Sequence, residues 1–384
     1  MLSAILAPVT KEEFFRDYWT KSFLHVPGAT SKFSHLFSWE VLNRALEEHR
    51  FDEKRLRLVR SNFTIQASRY LHGNAVNSAG LINELANGAT LVLNQCDEVH
   101  RPLRDLCEQL QRLFHRKVIT NLYASWKRDN GFAVHWDDHD VLILQIAGRK
   151  RWKVWEPTRR FPFRQDVVDT STAPGTEPFW TDVLETGGLL NIPRGWWHVA
   201  YPLDEPCLHL TVGIQNHNGI DLLRWLADSM KSSEAARMEL PLLASREERA
   251  AWLATVRADL LASFDDELLS RFLSDQDARA LPRPVLALPE DVRSKNTRVD
   301  RNTLLELAIP GPIQITISNG KALCQASGEK WEVNSAVGER LRRFNDGLPH
   351  SLAELASPPD PRVNFAVGML LMKGLLRRAY HGSA

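Results

Sequence analysis

Cysteine is scarce in this chain of 384 residues. Cys96, Cys107, Cys207 and Cys324 are scattered, with no CxxC pair. That excludes a dense disulfide framework and a thiolate metal site, and it fits a reducing compartment. An excess of charge of one sign is missing as well. Forty-eight Lys and Arg stand against 47 Asp and Glu, leaving a formal net charge of +1. So small an imbalance gives no whole-molecule attraction to nucleic acid or to an anionic membrane. No window approaches the roughly eighteen consecutive apolar residues of a membrane span. The opening "MLSAILAPVTKEEFF" has a short apolar run with no basic segment before it, so it does not read as a secretion signal. Its "TKEE" reads as a capping box that opens a helix at Thr10. A cytoplasmic protein is the expectation.

What is present is ordinary in amount and uneven in texture. Hydrophobic residues make up 43% and charged residues 25%, as in soluble globular proteins, and the length calls for two or three domains. Residues 10–115 mix helices such as "WEVLNRALEEHR" and "RPLRDLCEQLQRLFHR" with strand-like "FLHVPGA" and "ATLVLNQCDEV". From 118 to 215 six short β segments with turn signals predict a small antiparallel barrel, the N-terminal helices packing outside it. Residues 218–280 turn helical, with a capping box at Ser245 and Glu248. A Pro-rich charged stretch then reads as a linker. Beyond it a hairpin turns on Asn319-Gly320, followed by helical "SAVGERLRRFND" and "NFAVGMLLMKGLLRRAY", the arrangement of a winged helix. The expected division is 1–216 for the barrel domain, 217–281 for a helical segment, 282–302 for the linker and 303–384 for the winged-helix-like domain.

Chemistry concentrates in "GFAVHWDDHDVLILQIAGRKRWKVWEP", Gly131 to Pro157. Read as a strand, it turns His135, Asp137 and His139 to one face and Trp136, Asp138 and Asp140 to the other. An imidazole beside a carboxylate on a buried face calls for a charged partner. "GGLLNIPRGWWHVAYP" offers the rest: two apolar strands flank the turn Pro193-Arg194-Gly195, and His198 follows three residues after the glycine. In a barrel this hairpin can bring His198 to His135 and Asp137. Two imidazoles and one carboxylate form the ligand set of non-haem Fe(II) oxygenases, which keep coordination positions open. Asp138, His139 and Asp140 read as surface or supporting residues. In the next strand Arg149, Arg151 and Lys153 share the solvated face, so Lys150 points inward with Trp152 and Val154. An inward lysine needs an anion, and the distal carboxylate of 2-oxoglutarate would serve.

HxD, the apolar strand with "LQIAGRKRW", "IPRGWWH" and "LHLTVG" together resemble the JmjC branch of the cupin-type 2-oxoglutarate oxygenases. The nearest likeness is to the ribosomal-protein hydroxylases, over nearly the whole chain. The resemblance implies an α+β fold: a double-stranded β-helix (cupin or jelly-roll) barrel with N-terminal helices, then a helical dimerisation segment and a C-terminal winged helix. It implies Fe(II) held by His135, Asp137 and His198, Lys150 on the distal carboxylate of 2-oxoglutarate, Asn121 near the cosubstrate, and His209 and Thr211 as inward-facing neighbours. Trp136 stands where the family usually has tyrosine. Gly188 and Asn191 replace an acidic residue and a tyrosine, and Gly213 a serine of some members. The first three departures would act on the substrate pocket, leaving iron binding intact, and Gly213 on the contacts around the cosubstrate.

The expected activity is hydroxylation of an amino-acid side chain in a protein, with a ribosomal protein foremost. Its rivals are the same chemistry on a free amino acid or biosynthetic peptide, a zinc or nickel cupin, and a nucleic-acid-binding winged helix with a vestigial barrel. Near-neutral charge speaks against the last, and Lys150 would have no role in the metal-only cupin. Apolar positions at Leu222, Trp225, Leu226, Trp252, Leu253 and Leu260 predict a homodimer through the helical segment.

Overall fold

The computed structural model describes residues 2–128, 131–166, 170–281, 283, 286, 288 and 299–379. The expected linker lies mostly outside them. The chain divides into two compact units, residues 1–216 and 217–384.

The first unit is built on two antiparallel sheets. The strands are β1 Leu24–Val26, β2 Leu56–Arg60, β3 Phe63–Thr64, β4 Leu71–His72, β5 Ala75–Val76, β6 Thr90–Leu93, β7 Val118–Ser125 and β8 Asp140–Ala147. They continue with β9 Lys150–Trp155, β10 Trp180–Leu184, β11 Leu189–Ile192, β12 Trp197–Pro202 and β13 Cys207–Ile214. The large sheet runs β1-β11-β8-β13-β7-β6-β2-β3 and the small one β10-β9-β12, with β4 and β5 a separate hairpin. This is a jelly-roll barrel.

Alternation assigns the two faces of the large sheet. Leu142 and Leu144 of β8, Leu208, Leu210 and Val212 of β13 and Leu122 of β7 face outward. They share a core with Leu103, Leu106 and Leu110 of the helix Arg101–Phe114. The inner face of β8, Val141 and Ile143, packs on Trp152 and Val154 of the small sheet. Strand β8 is therefore apolar on both faces, as a strand covered from both sides must be.

Several expectations change here. The HxD stretch is not the first half of a regular strand. β8 begins only at Asp140, and His135 joins the sheet by a single bridge to His198. The N-terminal region holds more strand than expected, since β2 and β3 extend the large sheet beyond β6, whose segment already reads as strand-like. β10 was not foreseen, because an edge strand reading "WTDVL" is half solvated and carries no apolar period. The helix expected from Thr10 is a short α-turn, Lys11–Glu13, running into a π-helical Phe14–Tyr18.

The second unit has helices Gly219–Ser229, Arg246–Ala262 and Leu268–Arg279, the second opened by the Ser245/Glu248 box. Strands β14 Leu304–Leu307, β15 Gln314–Ser318, β16 Lys321–Ala326, β17 Glu329–Asn334, β18 His350–Ser351 and β19 Leu376–Arg378 follow. They form two three-stranded sheets, β15-β16-β17 and β18-β14-β19. Helices Ser335–Leu341 and Pro361–Met372 share their core through Val337, Leu341, Val363 and Leu370. The last expected helix is cut short: it stops at Met372, and Gly374 at φ +68 turns the chain into β19.

Candidate active site

His135 and His198 are tied to each other through the main chain. The His135 N–H donates to the His198 carbonyl at 3.1 Å, and the His198 N–H returns the bond at 2.7 Å. Gly195 N–H donates to the Asp137 carbonyl at 3.0 Å. These bonds gather the two segments at the mouth of the barrel, and ligand atoms of His135, Asp137 and His198 all lie within 4.8 Å of one another.

The imidazoles are oriented for coordination. Nδ1 of His135 lies 2.8 Å from the Ala133 carbonyl, and Nδ1 of His198 lies 3.1 Å from the Trp196 carbonyl. Each Nδ1 therefore carries the proton and donates, which leaves both Nε2 lone pairs free for an ion. Burial and the neighbouring His135 push His198 down to about 4, the carboxylate of Asp137 opposing them. A neutral imidazole is the form that binds metal. Burial favours the protonated acid at Asp137, but the imidazoles of His198, His135 and His139 outweigh it and hold its pKa below the ordinary value.

A cavity of about 280 Å³ extends from this cluster, walled by Tyr123, Lys150, Trp152, His209 and Thr211 among others. Lys150 opens β9 with 3% of its surface exposed. Its Nζ lies 3.2 Å from Nδ1 of His209, a neutral acceptor. No carboxylate among the described residues pairs with it. Burial alone drives the Lys150 ammonium below its usual pKa, while burial and the facing lysine press His209 well below its own. Beside them, Nε1 of Trp152 is buried without an acceptor. A buried cation and an indole donor, both unanswered by the protein, fit a small anionic ligand.

The other expected residues fall as follows. Thr211 lines the cavity. Asn121 does not; its Oδ1 accepts from Gln95 N–H at 3.0 Å. His139 pairs with Asp138 at 2.8 Å outside the cluster. Asp140 is buried, taking the Arg194 N–H at 3.2 Å and the Asn216 amide at 2.6 Å. It braces the turn before His198 rather than facing solvent. Sequence reasoning missed Tyr123, Ser125 and Thr90. Tyr123 stacks on His209 with centroids 5.0 Å apart, and its hydroxyl is raised to about 12, chiefly by burial. The signal was available: Tyr123 and Ser125 follow Asn121 at strand period on one face.

A family model described as the JmjC domain matches residues 95–222. The bifunctional lysine-specific demethylase and histidyl-hydroxylase NO66 of Drosophila persimilis is 30% identical over 250 residues, covering 63% of this chain and 36% of that protein. Its Drosophila melanogaster counterpart is 29% identical over 265 residues, covering 63% and 39%. The chain thus spans well under half the length of these relatives. Among solved structures, the Escherichia coli ribosomal oxygenase YcfD aligns with a TM-score of 0.60 and 18% identity, over 97% of this chain and 98% of that one. YcfD in complex with cobalt and 2-oxoglutarate aligns with the same score and identity over 96% and 98%. At that identity the likeness is one of fold.

Proposed function

We propose that this chain, whose residues 95–222 match the JmjC domain, is an Fe(II)- and 2-oxoglutarate-dependent oxygenase that hydroxylates an amino-acid side chain of a protein, a ribosomal protein foremost. One observation carries this reading. The His135, Asp137 and His198 donors share a cavity with Lys150, a buried cation that no carboxylate of the described residues neutralises. The relatives named above support the substrate class, one a histidyl-hydroxylase and one a ribosomal oxygenase.

In this reading His135 and His198 bind the ion through Nε2 and Asp137 through its carboxylate. The bound iron and cosubstrate supply dioxygen activation coupled to oxidative decarboxylation of the keto acid. Lys150 pairs with the distal carboxylate of 2-oxoglutarate, which restores its ammonium in a site shielded from water. His209 accepts from Lys150 and, stacked on Tyr123, fixes where that ammonium points. Thr211 and Trp152 offer a hydroxyl and an N–H to the same ligand. Asn121 acts from outside the cavity, by holding the Gln95 main chain against β7.

The proposed division of the second unit is a helical dimerisation segment, residues 217–281, a linker, 282–302, and a winged-helix-like domain, 303–384. Support for a homodimer comes from Leu223, Leu253, Leu261 and Leu269, each about half exposed or more on those helices. A cytoplasmic setting agrees with four free cysteines. No helix of the described residues is long and apolar enough to cross a membrane, and the balanced charge does not favour direct nucleic-acid binding.

Ribosomal proteins from cells with and without this gene, compared by intact-mass spectrometry, test the proposal. One protein should carry an added oxygen that disappears with the gene. Unchanged masses, with succinate formed only on free amino acids, would overturn the protein-substrate assignment.

A further inference from the structure

A second cavity, of about 600 Å³, opens in the first unit beside the candidate active site. Its lining includes Glu53, Lys54, Arg57, Thr64, Gln66 and Asn94. Arg57 is central to it. The guanidinium Nε is buried without a hydrogen-bond partner, and among the described residues no carboxylate lies within ion-pair distance of Arg57. Glu53 shares the cavity without pairing with it. A half-buried arginine left so is costly unless a ligand answers it.

Sheet register ties this arginine to the active site. Arg57 stands opposite Val92, Val92 opposite Tyr123, and Tyr123 opposite His209. Residues directly opposite on paired strands share a face. The row therefore lies on the inner face of the large sheet and ends at the histidine that touches Lys150. At about 4.8 Å per strand, Arg57 and His209 are separated by roughly 14 Å along the row. Tyr123 belongs to both ends: it walls the first cavity, and the positive charge of Arg57 acts on its hydroxyl.

We propose that the second cavity is a carboxylate-binding subsite of the substrate groove, in which Arg57 receives a carboxylate of the protein substrate while another residue of that substrate lies at the metal centre. This rests on the protein-hydroxylase reading. The charges facing the cavity are Arg57, Lys54 and Glu53, a net of one positive charge, which suits a monoanion better than a phosphate dianion. Thr64, Gln66 and Asn94 are neutral groups that can complete its hydrogen bonds.

The test uses the full-length protein loaded with zinc, a redox-silent ion, and saturated with 2-oxoglutarate. Four probes are titrated by saturation-transfer NMR: N-acetyl-glutamate N-methylamide, its glutamine counterpart, N-acetyl-glycine and inorganic phosphate. A carboxylate probe should bind and the glutamine probe should not. The tighter of the glutamate and glycine probes tells whether the carboxylate is a side chain or a chain terminus, and either supports the subsite. Arg57→Gln should weaken that binding about tenfold or more, with Arg151→Gln, on the solvated face of β9, leaving it unchanged. Should Arg57→Gln fail to fold, Arg57→Lys carries the test, keeping the charge and losing the fork for a several-fold weaker site. Equal binding of glutamate and glutamine probes would overturn the proposal. So would binding of phosphate alone, or equal loss of binding in Arg57→Gln and Arg151→Gln. A parallel titration of 2-oxoglutarate reports separately on the oxygenase reading.

Discussion

Two histidines four positions apart, one on either side of Asp137, carry opposite expectations. His135 keeps its Nε2 free among the three donors, whereas Nδ1 of His139 is engaged by Asp138 and its ring lies against Gly213, where a Cβ would meet it at 3.0 Å. His135→Ala or His198→Ala should abolish 2-oxoglutarate turnover and most iron binding, because two protein ligands rarely retain the ion. His139→Ala should spare both, as metal analysis and succinate formation will tell; a dead His139 variant beside an active His135 variant would reverse the assignment. Lys150 is tested by Lys150→Met, which keeps bulk and removes charge. Leaving a buried carboxylate unpaired costs about 3–5 kcal/mol. The 2-oxoglutarate dissociation constant should therefore rise by a factor on the order of 10²–10³, with iron content unchanged. An unaltered constant would remove Lys150 from the cosubstrate site.

Among the elements, the tight turn that carries the chain from β8 in the large sheet to β9 in the small one decides where Lys150 stands, and Gly148 decides the turn. Its φ of +62 suits glycine, and a Cβ there would lie 2.1 Å from the Pro206 carbonyl oxygen. Gly148→Ala should destabilise the protein by about 1–3 kcal/mol, a loss that thermal unfolding would register, and should weaken 2-oxoglutarate binding as Lys150 shifts; wild-type values for both would show that the turn relaxes freely. The strands on either side of that turn explain what the sequence disclosed. Strands β8, β9, β12 and β13 were legible because their apolar periods are dictated by a core on one or both faces. Lys150 was legible because the charges at Arg149, Arg151 and Lys153 fix the solvated face. The segment before β8 was misjudged because alternation was extended back through residues that only a single bridge holds. Asp140 looked like a surface residue for that reason; the apolar run of β6 was legible, whereas β2 was masked by its interleaved Arg57 and Arg60 and β3 by being two residues at the sheet edge.

Taken whole, the molecule presents more apolar surface on its 217–281 helices than their own packing uses. Leu226 is buried, and Trp225 and Trp252 are anchored by hydrogen bonds to Asp275 and the Ala235 carbonyl, while Leu253 is 59% exposed. Sedimentation at micromolar concentration should give a dimer, and Leu253→Glu combined with Leu261→Glu should give monomers; a wild-type monomer would reject the dimer. The main-chain closure between His135 and His198 bears on the molecule's dealings with the cell's metal pool. Hydrogen bonds that need no ion gather the three donors, so the site does not choose its metal by folding around it. Nitrogen and oxygen donors held this way follow the general order of divalent affinities, in which zinc, nickel and copper outrank ferrous iron. Zinc should therefore displace Fe(II) in an equimolar competition and silence turnover, so that the iron supply rather than the fold would set how much enzyme is active.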